Sequence, residues 1–176
     1  MRTLHSHEVA ARLDAANEFR ADPMGRGDMQ RRVPLVLKRL REVEELGLWR
    51  RPSSLNTWLY AAADLPLGAA SAVVHGDLHC RHVLVDEQGA AAGVIDWGDL
   101  CRADPAIDLP LLWSALPADA RDEFLAIYGP VSGAQLLRAR VLAVFLCATL
   151  AVYAHHVRIR SLEREAIAGL VRASRA

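Results

Sequence analysis

Apolar residues recur every three or four positions over most of the chain, and this spacing predicts amphipathic helices. One such pattern begins at Ser6, a residue that can cap a helix, and continues to Phe19. A second extends from Asp28 to Leu46 and is followed by Gly47, a residue typical of helix ends. Further helices are predicted from Ser53 or Ser54 to the residue before Pro66, from Ala118 to Tyr128, from Ser132 through a long apolar run, and from Ser161 towards the C-terminus.

The pattern changes at Ala72, where short runs rich in β-branched residues alternate with polar segments. Three strands are predicted at 72–74, 83–85 and 92–95, with turn residues at 86–89 between the last two. If these last two strands pair as a hairpin, Asp96 lies near His82. The chain is therefore predicted to be α+β and predominantly helical, with a small β hairpin region packed on a helical bundle.

Composition and charge narrow the classes of protein that fit this pattern. The chain has 176 residues, of which 52% are hydrophobic and 24% charged, which predicts one compact domain over residues 1–176. Lys and Arg together number 21, as do Asp and Glu, so no net positive charge favours nucleic acid as a partner. The longest apolar run, Val141 to Ala154, is shorter than the roughly 20 residues that span a bilayer. We expect it to be a core helix, with no membrane as partner.

Cysteine usage bears on the compartment in which the protein works. The three cysteines, Cys80, Cys101 and Cys147, have neither a C-x-x-C spacing nor an even number. The N-terminus lacks the apolar segment of a secretion signal. Both observations favour a reducing, cytoplasmic location.

The densest group of polar residues is His-Gly-Asp-Leu-His-Cys-Arg-His at 75–82, between the first two predicted strands. Loops that a rigid sheet holds in place commonly carry functional groups. In this loop, Asp77 could accept a proton from a hydroxyl group, and Asp96 could hold a divalent ion that neutralises phosphate charge. A purely structural role is the alternative, because an Asp at a strand end can cap a turn. Trp97, next to Asp96, is expected to pack in the core.

Three blocks of sequence, taken in order, resemble the aminoglycoside phosphotransferase-like kinases, which are small-molecule relatives of the protein kinases. They are His-Gly-Asp-Leu-His-x-x-His-Val-Leu-Val-Asp at 75–86, Gly-Val-Ile-Asp-Trp-Gly-Asp at 93–99 and Asp-Pro-Ala-Ile-Asp-Leu at 104–109. The resemblance implies the C-terminal lobe of a protein-kinase-like fold. It also implies a transferase that moves the γ-phosphate of ATP to a hydroxyl group of a small molecule, with ATP and magnesium as cofactors.

The same resemblance implies roles for individual residues. Asp77 matches the catalytic aspartate that takes the hydroxyl proton, and Asp96 matches the aspartate that binds magnesium at the nucleotide phosphates. His75 resembles the histidine that supports the catalytic loop. Asp108 resembles a buried aspartate that braces this loop through backbone N–H groups.

His82 departs from the family pattern, which usually has asparagine there as a second metal ligand. Magnesium prefers oxygen ligands, so an imidazole weakens a magnesium site or favours a softer ion such as manganese. Alternatively, His82 donates a hydrogen bond to a phosphate of the nucleotide. His82 and Asp96 are the predicted cofactor-binding and metal-binding residues.

A nucleotide-binding lobe is not apparent in the sequence. No G-x-G-x-x-G loop precedes Ala72, and the only lysine, Lys38, lies in a helical pattern rather than on a strand. We therefore expect a catalytic lobe with the N-terminal nucleotide lobe absent, and impaired transfer as the consequence.

Two alternatives to a working transferase remain open. The first is a degenerate, non-catalytic lobe that acts in protein association, since surface exposed by a missing lobe favours a homodimer or a separate N-lobe partner. The second is a metal site unrelated to kinases, formed by His75, Asp77, His79 and His82.

Overall fold

A computed structural model describes residues 1–14 and 20–175, and helices form most of this part of the chain. The α-helices are α1 (His7–Asp14), α2 (Met29–Glu45), α3 (Ser53–Ala63), α4 (Pro110–Ser114), α5 (Ala118–Tyr128), α6 (Gly133–His156) and α7 (Arg160–Ser174). The strands are β1 (Ala72–Val74), β2 (Val83–Val85), β3 (Ala91–Val94) and β4 (Cys101–Ala103). Short 3-10 helices occupy Cys80–His82, Trp97–Asp99 and Pro105–Asp108. The predicted class, α+β and predominantly helical, is confirmed.

Side-chain caps fix the helix starts that the sequence predicts. The Asp28 carboxylate accepts a hydrogen bond from the N–H of Arg31 at the first turn of α2, and Gly47 follows this helix with a φ of 67°. Ser132 and Gln135 form a reciprocal capping box at the start of α6. These helices therefore begin where their local sequences favour it.

The structure corrects one predicted helix start and adds one strand, and part of one predicted helix lies outside the described residues. Helix α7 begins at Arg160, and the predicted cap Ser161 lies inside its first turn, with no side-chain cap at Ile159. Strand β4 was not predicted, because three residues containing an arginine carry no usable alternation. The predicted continuation of α1 to Phe19 lies outside the described residues.

Helix α6 forms the centre of the hydrophobic core, as its apolar sequence predicts. It packs against α2, α4 and α7, and residues such as Val141, Val144 and Ala148 are fully buried between them. Its 24 residues are long and apolar enough to cross a membrane by length and composition, yet 56% of its most apolar window is buried inside the fold.

The strands form two separate two-stranded ladders rather than one sheet. Strands β2 and β3 make the predicted hairpin, with Val83 opposite Val94. Strand β1 pairs with β4, and Val74 lies opposite Cys101. The end of β1 and the start of β4 therefore lie at the same end of this ladder, so the polar loop after β1 and the segment before β4 are neighbours.

A buried ion pair connects α6 to the loops that flank the ladders. The Arg138 guanidinium lies 2.7 Å from the Asp104 carboxylate, and both side chains are almost wholly buried. Arg138 also donates hydrogen bonds to the carbonyl oxygens of Gly27 and Pro66. These bonds fix the segment 104–108, which carries Asp108, against the helical core.

Candidate functional site

The Asp108 carboxylate holds the start of the polar loop 75–82. Its two oxygens accept hydrogen bonds from the backbone N–H groups of His75, at 2.6 Å, and Gly76, at 3.0 Å. Gly76 has a φ of 89°, and a Cβ there would lie 2.3 Å from the Asp99 carbonyl oxygen, so glycine is required. The backbone that precedes Asp77 is therefore fixed by a buried charge.

His75 is completely buried, and its hydrogen bonds determine its tautomer. Because a carbonyl oxygen can only accept, His75 Nε2 carries the proton that it shares with the Ile95 carbonyl at 2.9 Å. His75 Nδ1 is then free to accept the N–H of Asp77, at 3.3 Å. A neutral His75 thus ties the loop to the segment that carries Asp96.

His82 and Asp96 approach each other beside this loop, as the hairpin register brings the end of β3 to the start of β2. His82 Nδ1 donates to the Asp77 carbonyl oxygen at 2.8 Å, so the Nε2 lone pair of a neutral ring faces away from that bond. His82 Nε2 lies 3.4 Å from an Asp96 carboxylate oxygen. A neutral imidazole and a carboxylate at this separation offer two electron-pair donors, which fit a shared divalent cation.

Asp96 adopts a backbone conformation that side-chain-bearing residues seldom occupy. Its φ and ψ are 65° and 60°, in the left-handed region, and its side chain is 67% exposed. The carboxylate therefore faces solvent beside His82 rather than capping the following 3-10 helix. Such strain is typical of residues with a functional role.

His79 extends the cluster on the side of Asp77. Its Nε2 lies 3.7 Å from an Asp77 carboxylate oxygen, and its ring centroid is 3.9 Å from that of His82. Burial, followed by the positive charge that His82 can carry, lowers the pKa of His79, which favours a neutral ring. Ligand atoms of Asp77, His79 and His82 lie within 4.8 Å of one another, so the described residues contain one three-donor group that could hold a metal.

A second brace on Asp108 has no signal in the sequence. His5 Nε2 lies 3.0 Å from an Asp108 oxygen, and His5 Nδ1 lies 2.6 Å from the Tyr128 hydroxyl oxygen. Burial and then the Asp108 charge raise the pKa of Tyr128 to about 12. Because His5 lies more than 100 positions from both Asp108 and Tyr128, neither periodicity nor a motif could bring it to them.

A cavity of about 430 Å³ opens beside the Asp77 side chain. One wall is the loop around Asp77, and another is the apolar face of α6 that includes Phe145. Arg26 and Arg32, which the sequence did not single out, complete the lining. The volume lies in the range of small-molecule binding sites.

The hairpin that begins after His82 presents an exposed apolar shelf formed by Leu84, Gly93 and Ile95. Leu84 lies opposite Gly93, and side chains of alternate strand positions share a face. Leu84 is 48% and Ile95 43% exposed. Trp97, expected in the core, is instead 42% exposed, with its indole N–H bonded to the Val94 carbonyl.

Lys38 lies on the exposed side of α2 and is not among the residues that line the cavity. The described residues therefore place no lysine at the cluster around Asp77. The cationic groups near it are arginines, and Arg26 already pairs with Asp99 at 2.7 Å.

Comparison with known proteins gives a family. The model of the phosphotransferase enzyme family matches residues 1–142. An uncharacterized protein, YcbJ of Bacillus subtilis (strain 168), is 35% identical over 63 residues, which are 36% of this chain and 21% of that protein.

Two solved structures share the fold. Macrolide 2'-phosphotransferase type I matches 96% of this chain and 55% of its own, with 22% identity and a TM-score of 0.51. The GDP and kanamycin complex of APH(2")-IIia matches 83% of this chain and 52% of its own, with 19% identity and a TM-score of 0.52. The chain thus spans about half the length of these structures, which fits one lobe of a protein-kinase-like fold.

Proposed function

The chain belongs to the phosphotransferase enzyme family, and from this premise we propose that it is a catalytic lobe that transfers the γ-phosphate of ATP to a hydroxyl group of a small molecule. The observation that carries the proposal is the position of Asp77. Its carboxylate lines the 430 Å³ cavity, while its backbone carbonyl holds His82 next to Asp96. One residue therefore joins an acceptor site to a site for phosphate and metal.

Asp77 is proposed as the general base. The hydroxyl oxygen of an acceptor in the cavity attacks the γ-phosphorus, Asp77 takes the hydroxyl proton, and the bond to the β–γ bridging oxygen breaks to release ADP. The brace from Asp108 holds the Asp77 backbone before the acceptor binds, so that little reorganisation is needed during transfer. His75 and Asp108 are positioning residues in this proposal.

Asp96 and His82 are proposed as the residues that hold a divalent cation. When bound, the cation would neutralise charge on the nucleotide phosphates. The facing Asp96 oxygen and His82 Nε2, 3.4 Å apart, support this fit. An imidazole ligand favours manganese over magnesium relative to an all-oxygen site.

The shelf of Leu84, Gly93 and Ile95 is proposed as the surface that takes the nucleotide base. It is apolar, and the glycine keeps it flat. It lies on the same hairpin as His82 and next to Asp96. A base stacked there would have its phosphates directed to the proposed metal ligands.

The test is transfer of radiolabelled phosphate from ATP under single-turnover conditions, with protein in excess and manganese or magnesium present. We expect Asp77→Asn to lower the rate by about 10²–10⁴-fold. Asp119→Asn, which changes an exposed carboxylate on α5, is the matched control and should have no effect. Equal rates for the Asp77→Asn variant and the unmodified chain would remove Asp77 as the base.

Nucleotide binding gives a second measurement that does not need turnover. We expect manganese–ATP to change the fluorescence of the exposed Trp97, and Asp96→Asn to weaken this binding. Trp97→Phe should remove the signal and leave the affinity, measured by calorimetry, unchanged. Binding of equal strength to the Asp96→Asn variant would contradict the metal assignment.

A second candidate function is protein association by a non-catalytic lobe. The exposure of Leu84 and Ile95 favours it, since apolar surface of this kind commonly covers an interface. A metal site unrelated to phosphate transfer, formed by Asp77, His79 and His82, is a third, and stoichiometric zinc in the purified protein would support it. A cytoplasmic location stays a prediction, supported by three free cysteines.

A further inference from the structure

The residues that line the cavity beside Asp77 do not suit a polyamine, because they are mostly apolar or cationic. Its α6 wall is apolar and includes Leu142, Phe145 and Leu146. Among the lining residues that the structure describes, Asp77 is the only carboxylate, whereas Arg26 and Arg32 are both cationic. An acceptor with several ammonium groups would leave most of them without a partner there.

Arg32 is the cation of this lining that forms no ion pair within hydrogen-bond distance of any residue that the structure describes. Its Nε is buried and has no hydrogen-bond partner in the described part of the chain. Its guanidinium carbon lies 4.6 Å from the centroid of the Phe145 ring. By contrast, the Arg26 guanidinium pairs with Asp99 at 2.7 Å.

The two carboxylates whose negative charge acts on Arg32, Asp22 and Asp28, form their hydrogen bonds with other groups. Asp22 accepts the backbone N–H groups of Arg26 and Gly27, and Asp28 caps α2 and pairs with the exposed Arg31 at 3.5 Å. Burial, followed by the positive charge of Arg26, lowers the pKa of Arg32, although a guanidinium remains protonated at neutral pH. A partly buried charge without a partner is unfavourable, and an anion from a ligand would offset that cost.

A second orphaned polar group lines the same cavity. The hydroxyl oxygen of Thr149 is buried and, within the described residues, has no hydrogen-bond partner. Buried polar atoms in folded proteins are nearly always paired. The apolar α6 wall and the Arg32 guanidinium together indicate a ligand that carries both an apolar body and an anionic group able to accept hydrogen bonds.

We propose that the acceptor is a mainly apolar alcohol that also carries a carboxylate or phosphate group, with its hydroxyl at Asp77, its apolar body on the α6 wall and its anionic group on Arg32. Calling this molecule an acceptor rests on the proposed phosphotransferase function. Its recognition rests on the cavity. Polycationic aminoglycosides are excluded as good ligands of this cavity.

The test compares three probes of equal length that differ at one end, namely 8-hydroxyoctanoate, 1,8-octanediol and 8-amino-1-octanol. Calorimetric titration of the full chain without nucleotide measures their dissociation constants at neutral pH. We expect the hydroxy acid to bind about tenfold more tightly than the diol, as for one charged hydrogen-bonded pair, and kanamycin and the amino alcohol to bind more weakly than the diol.

Variants at two neighbouring positions locate the preference. Arg32→Met should bind the acid and the diol equally, and Arg32→Lys should keep part of the preference because it keeps the charge. Arg31→Met is the matched control, since Arg31 lies on the same helix with a side chain 79% exposed and away from the cavity. It should retain the full tenfold preference.

Three results would overturn the proposal: no binding of the hydroxy acid at millimolar concentration, tighter binding of the amino alcohol or kanamycin, or an unchanged preference in Arg32→Met. The transfer assay distinguishes this failure from that of the proposed function. Phosphate transfer to the diol without an acid preference would defeat the inference alone. An acid preference without transfer to any of the probes would defeat the proposed function alone.

Discussion

At the scale of single residues, the Asp108 carboxylate contacts three hydrogen-bonding groups at or beside the loop 75–82. Two backbone N–H groups and the imidazole of His5 share its carboxylate, which is shielded from water. Since a charged acceptor bonds more strongly than a neutral one, the loop geometry depends on this ionised group. The same carboxylate also influences Tyr128 through His5.

Asp108→Asn is expected to lower the free energy of unfolding by about 2–4 kcal/mol, because an amide offers only one acceptor oxygen and turns an N–H towards a buried donor. Denaturation by urea measures the change. Asp86→Asn is the matched control. Asp86 also accepts two backbone N–H bonds, from Gln88 and Ala90, but a single exposed oxygen accepts both, so the amide oxygen of asparagine can keep them. Equal losses for the two variants would contradict the role of burial.

The raised pKa of Tyr128 predicts that the free energy of unfolding falls at alkaline pH. An unfolded tyrosine loses its proton near pH 10, whereas folded Tyr128 keeps it to about pH 12. The folded state binds more protons in this window, so the stability that Tyr128 contributes is complete below pH 10 and is lost as the pH rises towards 12. We expect Tyr128→Phe to flatten this decline in urea denaturation. Tyr60→Phe, at an exposed site, should leave the decline as it is.

The sequence predicts those site residues that lie in a motif, and it misses those that only the fold assembles. The hairpin pattern was enough to predict that Asp96 lies near His82 and the loop of Asp77, since the register places Val83 opposite Val94. His5 and Tyr128 come from distant segments, since His5 precedes α1 and Tyr128 ends α5, and only the folded chain brings them into contact. The same reason hides Arg32, which reads as an ordinary polar position of α2.

At the scale of elements, the crossing of α6 and α7 depends on the absence of a side chain at Gly169. A Cβ there would lie 2.6 Å from the Cys147 sulfur and 3.3 Å from the Ser114 carbonyl oxygen. The Cys147 side chain is buried, and burial raises its pKa to about 12, so it remains a neutral thiol. The close approach of the two helices is thus set by a glycine that periodicity alone reads as a weak helix position.

Gly169→Ala is expected to destabilise the fold by about 1–3 kcal/mol through overpacking, which for a chain of this size lowers the melting temperature by about 2–10 °C. Gly133→Ala is the control, because a Cβ at Gly133 would meet nothing within 4 Å. Adding Cys147→Ala should recover much of the loss by removing the sulfur. A melting temperature for Gly169→Ala equal to that of Gly133→Ala would show that the helices separate without cost.

The starts of α2 and α6 were predictable because they depend on local chemistry, at the caps Asp28 and Ser132. Strand β4 was not, because its three residues become a strand only through pairing with β1. Short ladders of this kind are decided by tertiary contacts rather than by intrinsic preference. The sequence therefore could not predict the two-ladder arrangement. Nor could it predict that the segments 75–82 and 95–100 meet at one end of the β1–β4 ladder.

At the scale of the whole molecule, the shelf of Leu84, Gly93 and Ile95 is apolar surface that the described ranges cover only in part, with Leu84 48% and Ile95 43% exposed. The chain spans about half the length of the solved structures that share its fold. A shelf of this kind has two possible occupants in the proposals above, a nucleotide base or a second protein surface. Each predicts a different behaviour of the same side chains in solution.

If the shelf also associates with a second copy, the weight-average mass from light scattering should rise with protein concentration, and manganese–ATP should reverse the rise by occupying the shelf. Leu84→Glu should keep the chain monomeric, because a carboxylate would be buried without a partner in the contact. Ile127→Glu is the control, since Ile127 on α5 is more exposed, at 64%, than Leu84, at 48%. An Ile127→Glu variant as monomeric as Leu84→Glu would assign the effect to added charge. A wild-type chain that stays monomeric at all concentrations would contradict association through the shelf and leave the nucleotide base as its proposed occupant.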